Sequence, residues 1–139
     1  MRIAFAADDS NECVEAVRAY LEKNHDVAVH QAPWPLMSRS VAEAVVAGNA
    51  DYGVLMCWTG TGTAIAANKV PGARAATVAD AWTARGARLW NDANVVALSL
   101  KRLAPDVAVE CVTAFLSEPT PDPEEAANIA GIEKAARGQ

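Results

Sequence analysis

Residues 54–72 read VLMCWTGTGTAIAANKVPG, and this stretch decides the fold. A short apolar run, Val54-Leu55-Met56, ends in Cys57. The turn Thr59-Gly60-Thr61-Gly62 follows, and a helix opens at once on Ala64, Ile65, Ala66 and Ala67. A strand passing through a glycine turn directly into a helix is half of a parallel βα repeat. Open α/β sheets bind ligands outside the carboxyl ends of their strands, and helix N-termini favour negative charge. A thiol beside such amides suggests chemistry on a small oxygenated molecule.

The same alternation extends in both directions. Apolar runs predict strands over 2–7, 26–30, 52–57, 74–78 and 94–99. Helical spacing predicts helices over 10–23, 37–47, 63–69, 80–91 and 105–116, with Gly48 stopping the second and Asp80 capping the fourth. Residues 117–123 form a proline-rich linker, and a last helix is expected over 124–136. Five βα units imply an α/β, Rossmann-like three-layer sandwich: a five-stranded parallel sheet covered by helices, plus a C-terminal helix. One domain spanning 1–139 is expected, its last helix packing on a partner subunit.

Bulk properties narrow the function. At 139 residues and 52% hydrophobic content the chain can build a core. The formal charge of −5, with no basic run, argues against nucleic acid. No apolar run reaches membrane-spanning length, and MRIAFAADD opens a strand rather than a signal peptide. Cys13, Cys57 and Cys111 are widely spaced and form no metal or redox motif, which fits a reducing cytoplasm.

Residues 53–69, from Gly53-Val54-Leu55-Met56-Cys57 through Thr59-Gly60 and Gly62 to Ile65-Ala66-Ala67-Asn68-Lys69, are followed by Arg74-Ala75. A second block is Asn91-Asp92-Ala93-Asn94-Val95, and Asp8 follows the first strand. In these blocks the chain resembles the ribose-5-phosphate isomerase B family, which includes the galactose-6-phosphate isomerase subunits. Ile65 stands where a dinucleotide fingerprint needs its third glycine, and no Gly-Lys-Ser/Thr follows, so cofactor and P-loop readings fail. The resemblance implies an aldose–ketose isomerase without metal or cofactor, working through a cis-enediolate at the interface of a homodimer. A tetramer, or a hetero-oligomer with a related chain, is the wider expectation. By this analogy Cys57 moves the proton between adjacent carbons, Thr59 and the amides of Gly60, Thr61 and Gly62 hold the enediolate oxygen, and Asn91 arrives from the partner to bind substrate.

The chain departs from that pattern. Asp8-Asp9 stands where the family carries Asp-His, and Trp90-Asn91 where it carries His-Asn, the histidine that opens the sugar ring. His25 and His30 lie instead around the second strand, as a turn residue and a strand-end residue. Aligned through Phe115-Leu116, Glu124 and Asn128 replace the arginines that clamp phosphate. A charge pair about 4 Å apart is worth about 4 kcal/mol at an effective dielectric near ~20, so this reversal removes several decades of phosphate affinity. Lys101 and Arg102 fall near another basic family position. Trp34, Trp58, Trp82 and Trp90 all occupy or adjoin motif positions. They read either as interface packing or as aromatic walls for the C–H face of a sugar, an aromatic ring or a cation.

Bland alternatives stand beside these. Cys57 could be an inert buried thiol, Cys13 and Cys111 core thiols, and Arg85 and Arg88 a solvated helix face. Asp8 and Asp9, with Ser10, could merely cap the first helix, or the two carboxyls could split their pKa values into acid and base. Glu124 could serve only as first-turn charge on the last helix. The expectation is a cytoplasmic ketol-isomerase of carbohydrate metabolism. Asp8, Asp9, Cys57 and Thr59 are the expected catalytic set. Trp34, Trp58, Gly60, Thr61, Gly62, Trp82, Trp90, Asn91 and Glu124 are expected at a polyhydroxy carbonyl substrate that is unphosphorylated or otherwise atypical. Without the ring-opening histidine a linear substrate is favoured, unless Asp9 opens the ring. The alternatives are a half-site subunit and a small-molecule-binding protein.

Overall fold

The computed structural model describes residues 1–118 and 120–139. Strands β1 (Arg2–Ala7), β2 (Asp26–Val29), β3 (Tyr52–Cys57), β4 (Ala75–Thr77) and β5 (Val95–Ser99) form one parallel sheet in the order β2-β1-β3-β5-β4. Helices α1 (Glu12–Asn24), α2 (Trp34–Val46), α3 (Thr61–Ala67), α4 (Ala81–Asn91) and α5 (Pro105–Leu116) alternate with them. A 3₁₀ turn, Pro123–Glu125, precedes α6 (Ala126–Ala136). The expected Rossmann-like α/β sandwich is present. No helix among the described residues is long and apolar enough to cross a membrane.

The pleat explains the two layers. Ile3, Phe5, Val54, Met56, Val96 and Leu98 point to one face and meet α1, α4 and α5. The intervening Ala4, Ala6, Leu55, Val95 and Ala97 point to the other and meet α2 and α3. Side chains alternate across a strand, so large residues fill one layer and small ones let the other approach closely. Gly53 extends this logic, because a Cβ there would lie 2.6 Å from Val41 Cγ1. The edge strands β2 and β4 are the short ones, with four and three residues, which limits exposed ladder.

Helix ends differ from the sequence reading in informative ways. Asn11, rather than Asp8, Asp9 or Ser10, caps α1, its side chain accepting from Val14 N–H at 3.0 Å. Helix α2 begins at Trp34, three residues early, because Pro33 and Pro35 preset the backbone of a first turn. Helix α3 begins at Thr61 directly after Gly60, whose φ is 75°. Asp80 caps α4 as expected, accepting from Thr83 N–H at 2.7 Å.

Arg88 overturns its expected solvated place. It is buried, 4.8 Å over the Tyr52 ring, and its guanidinium reaches Asp92 Oδ1 at 2.9 Å and the carbonyls of Ala93 and Glu118 at 2.6 and 2.8 Å. Asp92, in the left-handed region at φ 47°, also holds Arg74 at 3.3 Å. Asn94 takes the Arg74 N–H at 2.7 Å, and Asn68 makes two bonds to the Ala75 backbone. The motif residues Asn68, Arg74, Asp92 and Asn94 therefore lash β4 to the sheet.

Candidate active site

In the order β2-β1-β3 the chain leaves β1 in one direction and returns to β3 on its other side, so a crevice opens outside the carboxyl ends of β1 and β3. Asp8 and Cys57 lie at those two ends. A cavity of about 350 Å³ occupies the crevice, lined by Asp8, Trp34, Cys57, Trp58, Thr59, Thr61 and Gly62. Cys57 is only 5% exposed, yet it lines this cavity.

The turn that carries the sulfur is pinned from several sides. Cys57 Sγ accepts the Gly60 N–H at 3.1 Å. Thr77 Oγ1 donates to the Gly60 carbonyl at 2.7 Å, and Ser99, paired with Cys57 across the β3–β5 ladder, donates to the Trp58 carbonyl. The positive φ of Gly60 permits this path, and a Cβ would lie 2.9 Å from the Leu98 carbonyl carbon. The Gly60 amide, expected among the donors to the enediolate oxygen, is engaged with the sulfur here. Thr61 N–H points to Thr59 Oγ1 at 3.3 Å, and Gly62, second in α3, has no acceptor within the helix.

The two aspartates diverge. Burial raises the Asp8 pKa, and the neighbouring Asp9 charge raises it further. Asp9 is held below its ordinary value by the Ser10 N–H at 2.8 Å, then by the Trp58 indole N–H at 3.2 Å and the Lys101 charge. Lys101 Nζ sits 4.6 Å over the Trp58 ring. The other thiols have no comparable setting: burial raises the Cys13 pKa and pushes Cys111 up to about 11, with Asp80 and Glu110 adding to the latter.

Trp34 packs its ring edge against Gly62, where a Cβ would approach it to 3.2 Å. Trp82 and Trp90 lie on α4, away from this cavity within the protomer, 5.4 Å apart edge to face. Trp90 lies across Gly86, where a Cβ would stand 2.6 Å from the ring. Asn91 lines a separate cavity of about 420 Å³ beneath α6, with Arg74 and Ile132. Glu124 sits in the 3₁₀ turn, its N–H donating to Asp122 Oδ1 at 3.0 Å.

Sequence reasoning missed the part that four polar residues play around the site. Thr63, fully buried, places Oγ1 3.3 Å from Cys57 Sγ. Ser99 and Thr77 hold the turn, and the strand register was the only sequence signal for either. His30, expected only as a strand-end residue, lines a cavity of about 360 Å³ with Asp8, Asp9 and Arg18, and its Nδ1 lies 2.6 Å from Ser40 Oγ. Among the described residues no three His, Cys, Asp or Glu side chains converge as a metal cluster.

The family model described as Ribose/Galactose Isomerase matches residues 3–132. The galactose-6-phosphate isomerase subunit LacB of Clostridium acetobutylicum is 38% identical over 104 residues, 73% of this chain and 59% of that protein. The D-erythrulose-4-phosphate isomerase of Pectobacterium atrosepticum is 40% identical over 83 residues, 60% of this chain and 55% of that protein. Both matches therefore span little more than half of the relative. The ribose-5-phosphate isomerase B of Clostridium thermocellum superposes with a TM-score of 0.91 at 30% identity, covering 99% of both chains. A cysteine at the end of the third strand, the glycine turn beside it and a match running nearly end to end agree: the chain belongs to the ribose/galactose isomerase family.

Proposed function

We propose that the protein interconverts an aldose and a ketose through a cis-enediolate, on an open-chain polyhydroxy carbonyl substrate. Cys57 as thiolate takes the proton from the carbon beside the carbonyl, and the same thiol returns it to the neighbouring carbon. The electron pair moves from the broken C–H bond through the enediolate to the new C–H bond, with no net oxidation. The Thr59 hydroxyl and the Gly62 amide face the developing oxyanion, where preorganised donors contribute most. The observation that carries this reading is Cys57 lining the cavity that Thr59 and Gly62 also line.

The open-chain substrate follows from what the two histidine positions hold. Asp9 is kept ionised by its donors and is poorly suited to protonate a ring oxygen at neutral pH. Trp90 carries an indole N–H that can donate a hydrogen bond but does not act as an acid or base near neutral pH. A substrate that never cyclises needs neither group. The relative named for D-erythrulose 4-phosphate offers a precedent, because a four-carbon ketose esterified at its end cannot close a five- or six-membered ring. Glu124 argues against an arginine-clamped phosphate, so unphosphorylated tetroses and pentoses belong in the panel. Trp90, Asn91 and Glu124 would reach the site from a second subunit, a copy of this chain or a related one.

The test is solvent deuterium entry beside the carbonyl, followed by NMR. The panel is erythrose, erythrulose, ribose and ribulose, each with and without phosphate. Exchange with the acyclic members, lost in Cys57→Ala, is the expected result. Exchange that survives Cys57→Ala refutes the mechanism. An inert protein that gains activity only with a related chain supports a divided site.

A further inference from the structure

Thr63 stands third in α3 with no exposed surface, and its hydroxyl has the Cys57 sulfur 3.3 Å away as its hydrogen-bond partner. The sulfur already accepts the Gly60 N–H at 3.1 Å, and an amide can only donate. A hydroxyl can turn either way. While Cys57 is a thiol, S–H can donate to Oγ1. Once the proton leaves, Oγ1–H can donate to the sulfur, and the thiolate then sits between two donors inside the protein. Hydrogen bonds to a charged partner are the strong ones, and buried polar groups left unmet are unfavourable.

We infer that Thr63 is a positioning residue for Cys57: its buried hydroxyl, with the Gly60 amide, cradles the thiolate and fixes the sulfur toward the cavity. This rests on the reading of Cys57 as the proton-transferring base. Thr63 reaches the reaction through the sulfur, so its removal acts on the protonation of Cys57 before it acts on substrate affinity. It also gives a reason for a fully buried polar side chain on α3, whose neighbours Ala64 and Ala67 belong to the apolar core.

The experiment is the pH dependence of Cys57 alkylation by iodoacetamide, with the modified site identified by mass spectrometry. It compares the wild type with Thr63→Val, which keeps the shape, and Thr63→Ser, which keeps the hydroxyl. The midpoint is expected to rise by about one to two pH units in the valine variant, a roughly tenfold to hundredfold slower reaction at neutral pH, and to return toward wild type in the serine variant. A valine variant that titrates like wild type overturns the inference, as does a serine variant displaced as far as valine. Should valine prevent folding, judged by circular dichroism, Thr63→Ala carries the same expectation. Alkylation needs no substrate, so an altered midpoint with no sugar exchange in the wild type would sink the isomerase reading and leave the Thr63 coupling standing. In an active protein the pH profile of kcat/KM should move with the alkylation midpoint, with KM little changed.

Discussion

Gly60→Ala tests whether the site depends on the turn described. At φ 75° an L-residue pays about 1–2 kcal/mol for the left-handed region. The added Cβ would stand 2.9 Å from the Leu98 carbonyl carbon and 3.1 Å from Ser99 N, both backbone atoms of a central strand that cannot swing aside. The turn must move instead, straining the Gly60 N–H bond to Cys57 Sγ and the Thr77 bond to the Gly60 carbonyl, each worth about 1 kcal/mol. The sum is about 3 kcal/mol, a large share of the roughly 5–15 kcal/mol that holds a domain together. For a chain of this size that lowers the melting temperature by about 10 °C. Thermal unfolding by circular dichroism reads the stability, and Cys57 alkylation reads the site. Gly62→Ala is the control, since the nearest atoms to its Cβ would be those of the Trp34 ring, a side chain that can shift. If Gly60→Ala melts within a degree or two of wild type with Cys57 reactivity unchanged, the turn is not held as described.

Asp9→Ala should release the Trp58 indole and raise KM several-fold with kcat little changed, whereas Asp9→Asn, still an acceptor, should stay near wild type. The Trp58 indole N–H resonance should titrate with Asp9 at a midpoint below the ordinary aspartate value in the wild type and lose that titration in both variants. On acidification, Asp51 and Asp80 have folded pKa values lowered by their hydrogen bonds, first those from the Arg2 and Thr83 backbones. Their contribution is present above the ordinary aspartate value of 3.8 and is lost as pH falls through the lower folded values, so Asp51→Asn and Asp80→Asn should flatten the acid limb of an unfolding curve followed by fluorescence. Asp8 has the opposite sign: its raised pKa favours folding when protonated, and that contribution is lost as pH rises through the folded value. Asp8→Asn should therefore raise stability slightly at neutral pH and leave a steeper acid limb.

Much of the fold was legible because period and punctuation agreed. Helix α5 runs over Pro105–Leu116 as its spacing predicts, and Asp80 caps α4 where a short polar residue precedes the apolar pattern. The start of α2 was hidden because Pro33-Trp34-Pro35 reads as a loop until the prolines are seen as first-turn residues. Arg88 was misread because a charge on a helix face is usually solvated. Its burial depends on carbonyls at Ala93 and Glu118 and on the Tyr52 ring, contacts no local pattern encodes. In the site, a cysteine ending an apolar run was readable, and so was its glycine turn. Thr63 was not, because six residues of separation become a contact only when Gly60 folds the turn back. His30 joined Asp8 at a cavity because β2 lies beside β1 in the sheet.

The departures from the family pattern are not independent of one another. Asp9 occupies a position where the resemblance implies histidine, and Trp58 adjoins the glycine turn 49 residues away in sequence; the two are hydrogen-bonded at 3.2 Å. Trp90 occupies the other histidine position, and its ring lies over Gly86 and against Trp82, which also departs from the pattern. At both positions where the resemblance implies a histidine, the residue present has an aromatic partner. A site that had merely decayed would more readily leave an unpaired group or a vacant volume at each position. The Asp9–Trp58 pair at the Cys57 cavity, which Trp58 lines, on the proposed reading suits a ligand other than a cyclic sugar phosphate, while the sulfur and its glycine turn supply the proton transfer. On the proposed reading, proton transfer between adjacent carbons survives and ring opening does not. The substrate range should accordingly follow whether a sugar can stay open, more than which hydroxyl configuration it carries.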